Sequence, residues 1–158
     1  MKKLVILFLG ILLVSCSATE KRNSKKAPDF SLKTPDNRIV KLSDYKGKIV
    51  ILNFFGTWCP PCRMEIPDFV KFYKENKKKG IVIIGIAVGS RPEDVKKIIK
   101  EFKINYPVCI SDGEVEKKYG GIRFVPTSFI IDKRGNIYKK QIGMMNKEQL
   151  EEILKELK

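Results

Sequence analysis

The sequence W-C-P-P-C at positions 58–62 holds two cysteines, Cys59 and Cys62, separated by two residues. An apolar run at 49–55, typical of a buried strand, precedes it, and a segment of helical periodicity follows from 63 to about 79. Cys59 therefore lies at a helix N-terminus, where free backbone N–H groups and the helix dipole stabilise a thiolate. Because this spacing brings both sulfurs within disulfide distance, the motif predicts redox chemistry by a Cys59–Cys62 disulfide.

Zinc is the main alternative for a C-x-x-C pair. A structural zinc site needs four ligands, and the chain has no histidine and no second C-x-x-C. The sequence therefore predicts neither a metal nor another cofactor. A static buried disulfide is also disfavoured, because the two prolines and the flanking Trp58 are expected to place the first sulfur at a loop tip and not in a core.

The elements that position this motif follow from the apolar pattern and the turn residues. The strands are predicted at 30–32, 39–42, 49–55, 81–88, 106–110, 128–132 and 137–142, and the helices at 63–79, 92–103, 114–119 and 147–158. The alternation after residue 49 requires a parallel strand pair with a right-handed crossover. The pattern predicts an α/β domain in which helices flank a central mixed β-sheet, with an added N-terminal β-hairpin.

The first 27 residues are predicted to lie outside this domain. Two lysines and an eleven-residue apolar run end in L-V-S-C, the pattern of a bacterial lipoprotein signal cut before a lipidated Cys16. An uncleaved transmembrane anchor is the alternative, but eleven apolar residues are too few, since a bilayer takes roughly 20. Residues 17–27 are predicted to be a polar tether, and residues 28–158 the folded domain. The predicted location is the bacterial cell envelope, with the lipid-anchored domain facing the periplasm or the exterior.

The chain is strongly basic, with a formal net charge of +14. Its lysines are spread over every predicted helix beside Glu and Asp, whereas a nucleic-acid surface would interleave them with aromatics on one face. We therefore predict no nucleic-acid partner and a solvated surface near anionic lipid headgroups. Cys109 is predicted to fill space in a strand; a resolving or regulatory thiol is the alternative.

Together the C-x-x-C motif and a distant V-P-T at 125–127 resemble the thioredoxin superfamily, and within it the membrane-anchored TlpA/ResA-like thiol:disulfide oxidoreductases. The resemblance rests on residues 52–67, 125–132 and 135, and it spans about 27–158. Thioredoxins proper have an Asp six positions before the first cysteine, where this chain has Asn53. The ResA-like branch has a Glu three residues after the second cysteine, which Glu65 matches.

The resemblance, together with the helix position, implies a role for each site residue. Cys59 is the attacking thiolate, and Cys62 is the buried thiol that resolves the mixed disulfide. A cis Pro126 would hold Val125 so that its backbone pairs with the substrate, beside Trp58; an ordinary strand-entry proline is the alternative. Glu65 relays protons to the cysteine pair or, alternatively, is a surface acid on a lysine-rich helix.

The implied function is reduction of disulfides in partner proteins, including apocytochrome c, with electrons from a membrane-embedded thiol donor. A thiol oxidant or isomerase of secreted proteins and a metal carrier remain alternatives. A peroxiredoxin-type peroxidase needs Pro and Thr seven and three residues before its cysteine, where this chain has Leu52 and Gly56. A Sco-type copper carrier would need C-x-x-x-C and a distant histidine, and the chain has neither.

Overall fold

A computed structural model describes residues 25–157. The predicted signal peptide, the lipidation site at Cys16 and residues 17–24 of the predicted tether lie outside this range. No helix between residues 25 and 157 is both long and apolar enough to cross a membrane.

Seven strands and four helices follow one another in nearly the predicted order. The strands are β1 (Ser31–Lys33), β2 (Ile39–Lys41), β3 (Ile49–Phe55), β4 (Ile81–Ala87), β5 (Val108–Ile110), β6 (Thr127–Ile131) and β7 (Ile137–Ile142). The helices are α1 (Pro60–Asn76), α2 (Pro92–Glu101), α3 (Glu114–Lys118) and α4 (Lys147–Glu156). The predicted mixed α/β architecture with its N-terminal hairpin is confirmed.

The central sheet has the strand order β5-β4-β3-β6-β7, with β1 and β2 pairing separately as an antiparallel hairpin. Strands β3, β4 and β5 are parallel to one another, whereas β6 runs antiparallel to β3 and β7 antiparallel to β6. The ends of β3, β4, β5 and β7 and the start of β6 therefore share one edge of the sheet. The cysteine motif follows β3 and lies at this edge.

Both faces of the sheet are covered, which explains the apolar runs in β3 and β4. All seven residues of each strand are buried. One core cluster joins the sheet to helices α1, α2 and α4, and a second joins the opposite face to the hairpin and α3. A strand buried on both faces is apolar at nearly every position, with Asn53 of β3 as the polar exception here, so it loses the alternation of a half-exposed strand.

Two boundaries differ from the sequence-based prediction for reasons of proline chemistry. Helix α1 begins at Pro60 and not at residue 63, since proline is accepted at the first helical position, where no N–H partner is needed. Strand β5 starts at Val108 and not at residue 106, because Pro107 has no N–H to donate to the ladder. Gly80, with φ of 78°, turns the chain between α1 and β4.

The N-terminal segment enters the domain at the edge of the sheet opposite the cysteines. The N–H of Ala27 donates to the carbonyl of Gly135, and the N–H of Ile137 donates to the carbonyl of Lys25. These bonds join the incoming chain to the turn between β6 and β7. The chain that precedes residue 25 therefore starts from the end of the domain remote from the disulfide.

Candidate active site

Cys59 and Cys62 are joined by a disulfide at the start of α1. Cys59 is the N-cap residue, and its Sγ accepts the N–H of Cys62 at 3.3 Å. Pro60 and Pro61, which occupy the first two helical positions, have no N–H group. The Cys62 amide is therefore the first helical donor available to this sulfur, and it would stabilise a thiolate on Cys59 in the reduced protein.

The first sulfur is less accessible than the sequence indicates. Cys59 is 4% exposed and Cys62 is fully buried, so the expectation of an exposed Cys59 at a loop tip is wrong. The reason is the neighbouring loop, whose Val125 carbonyl oxygen lies 3.6 Å from the Cys59 Sγ. Trp58, by contrast, is 62% exposed. The Val125 backbone therefore contributes to the cover over this sulfur.

The loop that covers Cys59 is held by its own backbone contacts. The Val125–Pro126 peptide bond is cis, as the resemblance implies. The Thr127 hydroxyl donates to the Phe124 carbonyl at 2.7 Å, and the Gly143 N–H donates to the Pro126 carbonyl at 2.9 Å. These bonds fix the loop between the start of β6 and the end of β7, beside the disulfide.

The tryptophan beside the disulfide is positioned by two loops. Its Nε1–H donates to the Gly89 carbonyl at 3.2 Å, and its ring covers Gly56 so closely that a Cβ there would lie 2.6 Å from a ring carbon. Ser90 accepts the N–H of Thr57 at 3.1 Å, which ties the loop after β4 to the loop before α1. The ring is thus fixed while most of its surface remains open to a partner.

Glu65 lies one helical turn after Cys62 and is buried, with 3% of its surface exposed. The alternative of a surface acid on a lysine-rich helix is therefore wrong. The Asn53 amide donates to one carboxyl oxygen at 2.8 Å, and the Met145 N–H donates to the other at 3.1 Å. Burial raises the pKa of Glu65 to about 7. The two hydrogen bonds act in the opposite direction and lower the pKa, but their effect is smaller than that of burial.

Two residues of this network have no sequence signal of their own. Ser128 accepts a hydrogen bond from the Asn53 amide at 3.0 Å, and Met145 contributes only its backbone. Asn53 does have a signal, because a polar residue in a strand buried on both faces requires partners. The position of Asn53 in β3 therefore predicts a buried hydrogen-bond partner without identifying Glu65 as that partner.

Arg63 follows Cys62 directly, but its side chain contacts α2 and not the cysteine pair. Its guanidinium forms a 2.5 Å ion pair with Glu101. The guanidinium carbon also lies 5.2 Å from the centre of the Phe102 ring. Both contacts are to the end of α2 and not to the cysteine pair. The Glu101 carboxylate therefore offsets part of the positive charge of Arg63.

Exposed apolar side chains cluster in sequence around the site. Of the six large hydrophobic residues that are exposed between residues 25 and 157, five lie at or within two residues of a site residue or its hydrogen-bond partner: Trp58, Met64, Phe124, Ile142 and Met144. Exposed apolar groups that border a reactive group indicate a surface for protein partners. Sequence analysis identified only Trp58 among them.

Cys109 is remote from this site. It is fully buried in β5, in the core cluster on the opposite face of the sheet from the disulfide. Burial raises the pKa of its thiol to about 12. Cys109 therefore fills space in the core and is not placed to resolve a mixed disulfide at Cys59.

Comparisons with known proteins agree with this geometry. The model of the AhpC/TSA family matches residues 24–140. The thiol-disulfide oxidoreductase ResA of Bacillus thuringiensis is 40% identical over an alignment of 172 positions, gaps included, that covers 99% of each chain. The ResA of Bacillus subtilis is 35% identical over 133 residues, 84% of this chain and 74% of the relative. The chain belongs to the AhpC/TSA family.

Solved structures extend this relationship to the fold. A thiol:disulfide interchange protein of the thioredoxin family from Chlorobium tepidum superposes with a TM-score of 0.80 at 39% identity, covering 85% of this chain and 96% of that one. StoA from Bacillus subtilis superposes with a TM-score of 0.69 at 33% identity, covering 80% and 96%. The protein is a thiol-disulfide oxidoreductase of the ResA type with a thioredoxin-like fold.

Proposed function

We propose that this oxidoreductase reduces disulfides in partner proteins outside the cytoplasm, with Cys59 as nucleophile and Cys62 as resolving thiol. The observation that supports this most is the Cys59 sulfur itself, which accepts the Cys62 N–H and lies 3.6 Å from the Val125 carbonyl. One contact stabilises a thiolate at this position, and the other places it beside a backbone segment that an extended partner chain would pair with.

In the proposed reaction the reduced Cys59 thiolate attacks one sulfur of a target disulfide. A mixed disulfide forms, and the other target sulfur leaves as a thiolate that takes up a proton. The Cys62 thiolate then attacks the Cys59 sulfur, which closes the Cys59–Cys62 disulfide and releases the second target thiol. Two electrons pass to the target, and a dithiol donor in the membrane would restore them.

Glu65 is the proposed proton acceptor for Cys62. It lies one turn further along the same helix, so both side chains project from the same face of α1. A carboxyl group with a pKa of about 7 is half ionised near neutral pH and can both take and return a proton. Asn53 orients the carboxyl group through its amide and, as a neutral residue, adds no second negative charge.

The direction of electron flow follows from how weakly the Cys59 thiolate would be stabilised. A strongly oxidising pair has a reduced form stabilised as thiolate. Here the Cys62 N–H donates to the sulfur, the two prolines donate nothing, and Arg63 is paired with Glu101. A less stable dithiol means a lower reduction potential. An oxidant or isomerase of secreted proteins is the second candidate, and no contact of this site favours it.

We expect the equilibrium reduction potential of the Cys59/Cys62 pair to lie below about −200 mV. Titration of the purified protein in redox buffers, followed by the fluorescence of the single tryptophan, measures it directly. Pro61→His is the control, because an imidazolium beside the sulfurs stabilises the thiolate and should raise the potential. A value near −120 mV for the unchanged protein would make it an oxidant.

The proposed substrates are partner proteins with accessible disulfides, including apocytochrome c before haem attachment. The proposal draws on the ResA-named relatives and on the predicted lipoprotein signal. The exposed apolar side chains that lie near the site in sequence, such as Trp58 and Phe124, are suited to contact with protein partners. A test is reduction of a disulfide-bonded peptide that carries the haem-attachment motif C-x-x-C-H, with the oxidised peptide lacking the histidine as control.

We expect the mature protein to begin at a lipidated Cys16, because the L-V-S-C sequence ends a short apolar run. Mass spectrometry of protein extracted from bacterial membranes should show an acylated N-terminal cysteine. The Cys16→Ser variant should retain its full N-terminus and lack the acyl groups. Recovery of unmodified protein that starts at Met1 would rule out lipidation.

A further inference from the structure

The edge of the sheet opposite the disulfide is formed by five segments. Strands β3, β4, β5 and β7 begin there, β6 ends there, and the N-terminal chain joins the domain there. We call these five segments, taken together, the basic end; they are residues 25–26, 45–48, 77–80, 102–107 and 132–136.

The basic end concentrates the positive charge of the domain. Ten exposed basic residues lie in its segments: Lys25, Lys26, Lys46, Lys48, Lys77, Lys78, Lys79, Lys103, Lys133 and Arg134. The one acidic residue in these segments is Asp132, whose carboxylate accepts the N–H groups of Arg134 and Asn136. Arg134 is paired with Asp132, and the remaining clustered lysines create a positive surface potential that attracts anionic partners.

The opposite edge, which carries the disulfide, has no such excess. Its connecting segments, residues 56–59, 88–91, 111–114, 119–126 and 143–146, contain two basic and two acidic residues. The net charge of +14 is therefore distributed unevenly between the two edges of the sheet. General solubility does not require this segregation.

The chain outside the described range connects the basic end to the predicted anchor. Nine peptide steps separate Cys16 from Lys25, and a fully extended chain of this length spans about 30 Å. The basic end is thus tethered close to the membrane if Cys16 carries lipid, which is part of the proposed function. A cavity of about 550 Å³ opens beside the chain entry and is lined by, among others, Lys46, Lys48 and Lys133.

We propose that the basic end lies against anionic phospholipid headgroups and holds the disulfide edge away from the membrane. The negative surface potential of such a membrane attracts clustered lysines, and the attraction decays within a Debye length of ~8 Å. The disulfide lies beyond the sheet, whose strands are ~20 Å long. A soluble partner can then reach Cys59 without contacting lipid.

Trp58, the single tryptophan of the chain, reports this orientation because it lies at the disulfide edge. The full chain is reconstituted in vesicles that contain a trace of dansyl-labelled lipid, either of phosphatidylcholine alone or with phosphatidylglycerol. Energy transfer from Trp58 to the headgroups should be lower by about twofold on the anionic vesicles, because the sheet separates the two ends by ~20 Å. High salt should remove the difference.

Two variants with equal charge loss locate the effect. The test variant combines K46Q, K77Q, K78Q and K133Q, all at the basic end. The control combines K33Q, K71Q, K96Q and K139Q, all exposed and outside it. None of these eight lysines forms an ion pair within the described range. The test variant should show the same transfer on both vesicle types, and the control should behave as the unchanged protein.

Three outcomes would overturn the proposal: equal transfer on both vesicle types, higher transfer on anionic vesicles, or an equal loss in both variants. Failure of the anchor is distinguishable, because the protein would then not float with phosphatidylcholine vesicles. Failure of the redox function is distinguishable too, since disulfide exchange with a soluble substrate depends on Cys59 and is measured without vesicles.

Discussion

Replacement of Cys59 by serine is expected to lower the rate of disulfide exchange by roughly a thousandfold or more, to the uncatalysed background. The Cys59 sulfur is the one that accepts the Cys62 N–H and lies beside Val125. A serine hydroxyl is much less acidic than a cysteine thiol, so it does not supply a comparable nucleophile. The measurement is the reduction rate of a disulfide-bonded protein substrate, with dithiothreitol regenerating the enzyme.

Two further variants make this result specific. Cys62→Ser should trap a mixed disulfide through Cys59, which is visible on a non-reducing gel, because the resolving thiol is missing. Cys109→Ala should retain full activity, since Cys109 is buried on the other face of the sheet. If Cys59→Ser trapped substrate more readily than Cys62→Ser, the two assignments would have to be exchanged.

The free energy of unfolding of the oxidised protein should fall by about 2–3 kcal/mol between pH 5 and pH 8 because of Glu65. The folded protein binds this proton with a pKa of about 7, against an ordinary value of 4.5. The stabilisation is therefore complete below about pH 4.5 and is lost as the pH rises through 7. The chain has no histidine, so few other side chains titrate in this window.

Denaturant unfolding at several pH values measures this dependence. Glu65→Gln should remove most of the slope, since the amide cannot ionise. Cys109→Ala is the control and should leave the slope unchanged, because burial raises the pKa of Cys109 to about 12, far above this window. A Glu65→Gln protein that kept the full dependence would show that another group binds the proton.

The fold is predictable from the sequence wherever apolar periodicity or turn chemistry is strong. The apolar runs of β3 and β4, in which Asn53 is the one polar residue, required cover on both faces, and the structure supplies it with helices on one face and the hairpin with α3 on the other. The C-x-x-C motif likewise predicted a disulfide at a helix start. Boundaries at Pro60 and Pro107 were less accurate, because two or three residues of helix or ladder have little periodic signal.

The environment of the site was harder to predict, since it depends on contacts between distant segments. Cys59 is covered by Val125, which lies 66 residues away in the chain. Glu65 accepts a hydrogen bond from the backbone N–H of Met145, which is also distant in sequence. A backbone group that donates a hydrogen bond is independent of its residue type. Sequence alone therefore left the choice between a surface acid and a buried one open.

The two prolines between the cysteines act through the groups they lack. A helix N-cap atom ordinarily accepts from the second or third N–H of the helix, and Pro61 removes the second, so the Cys62 amide alone remains for the Cys59 sulfur. Any other residue at position 61 would add a backbone donor there, whatever its side chain. The two prolines thus limit the number of backbone N–H groups that can stabilise a Cys59 thiolate, and every substitution of Pro61 raises that number by one.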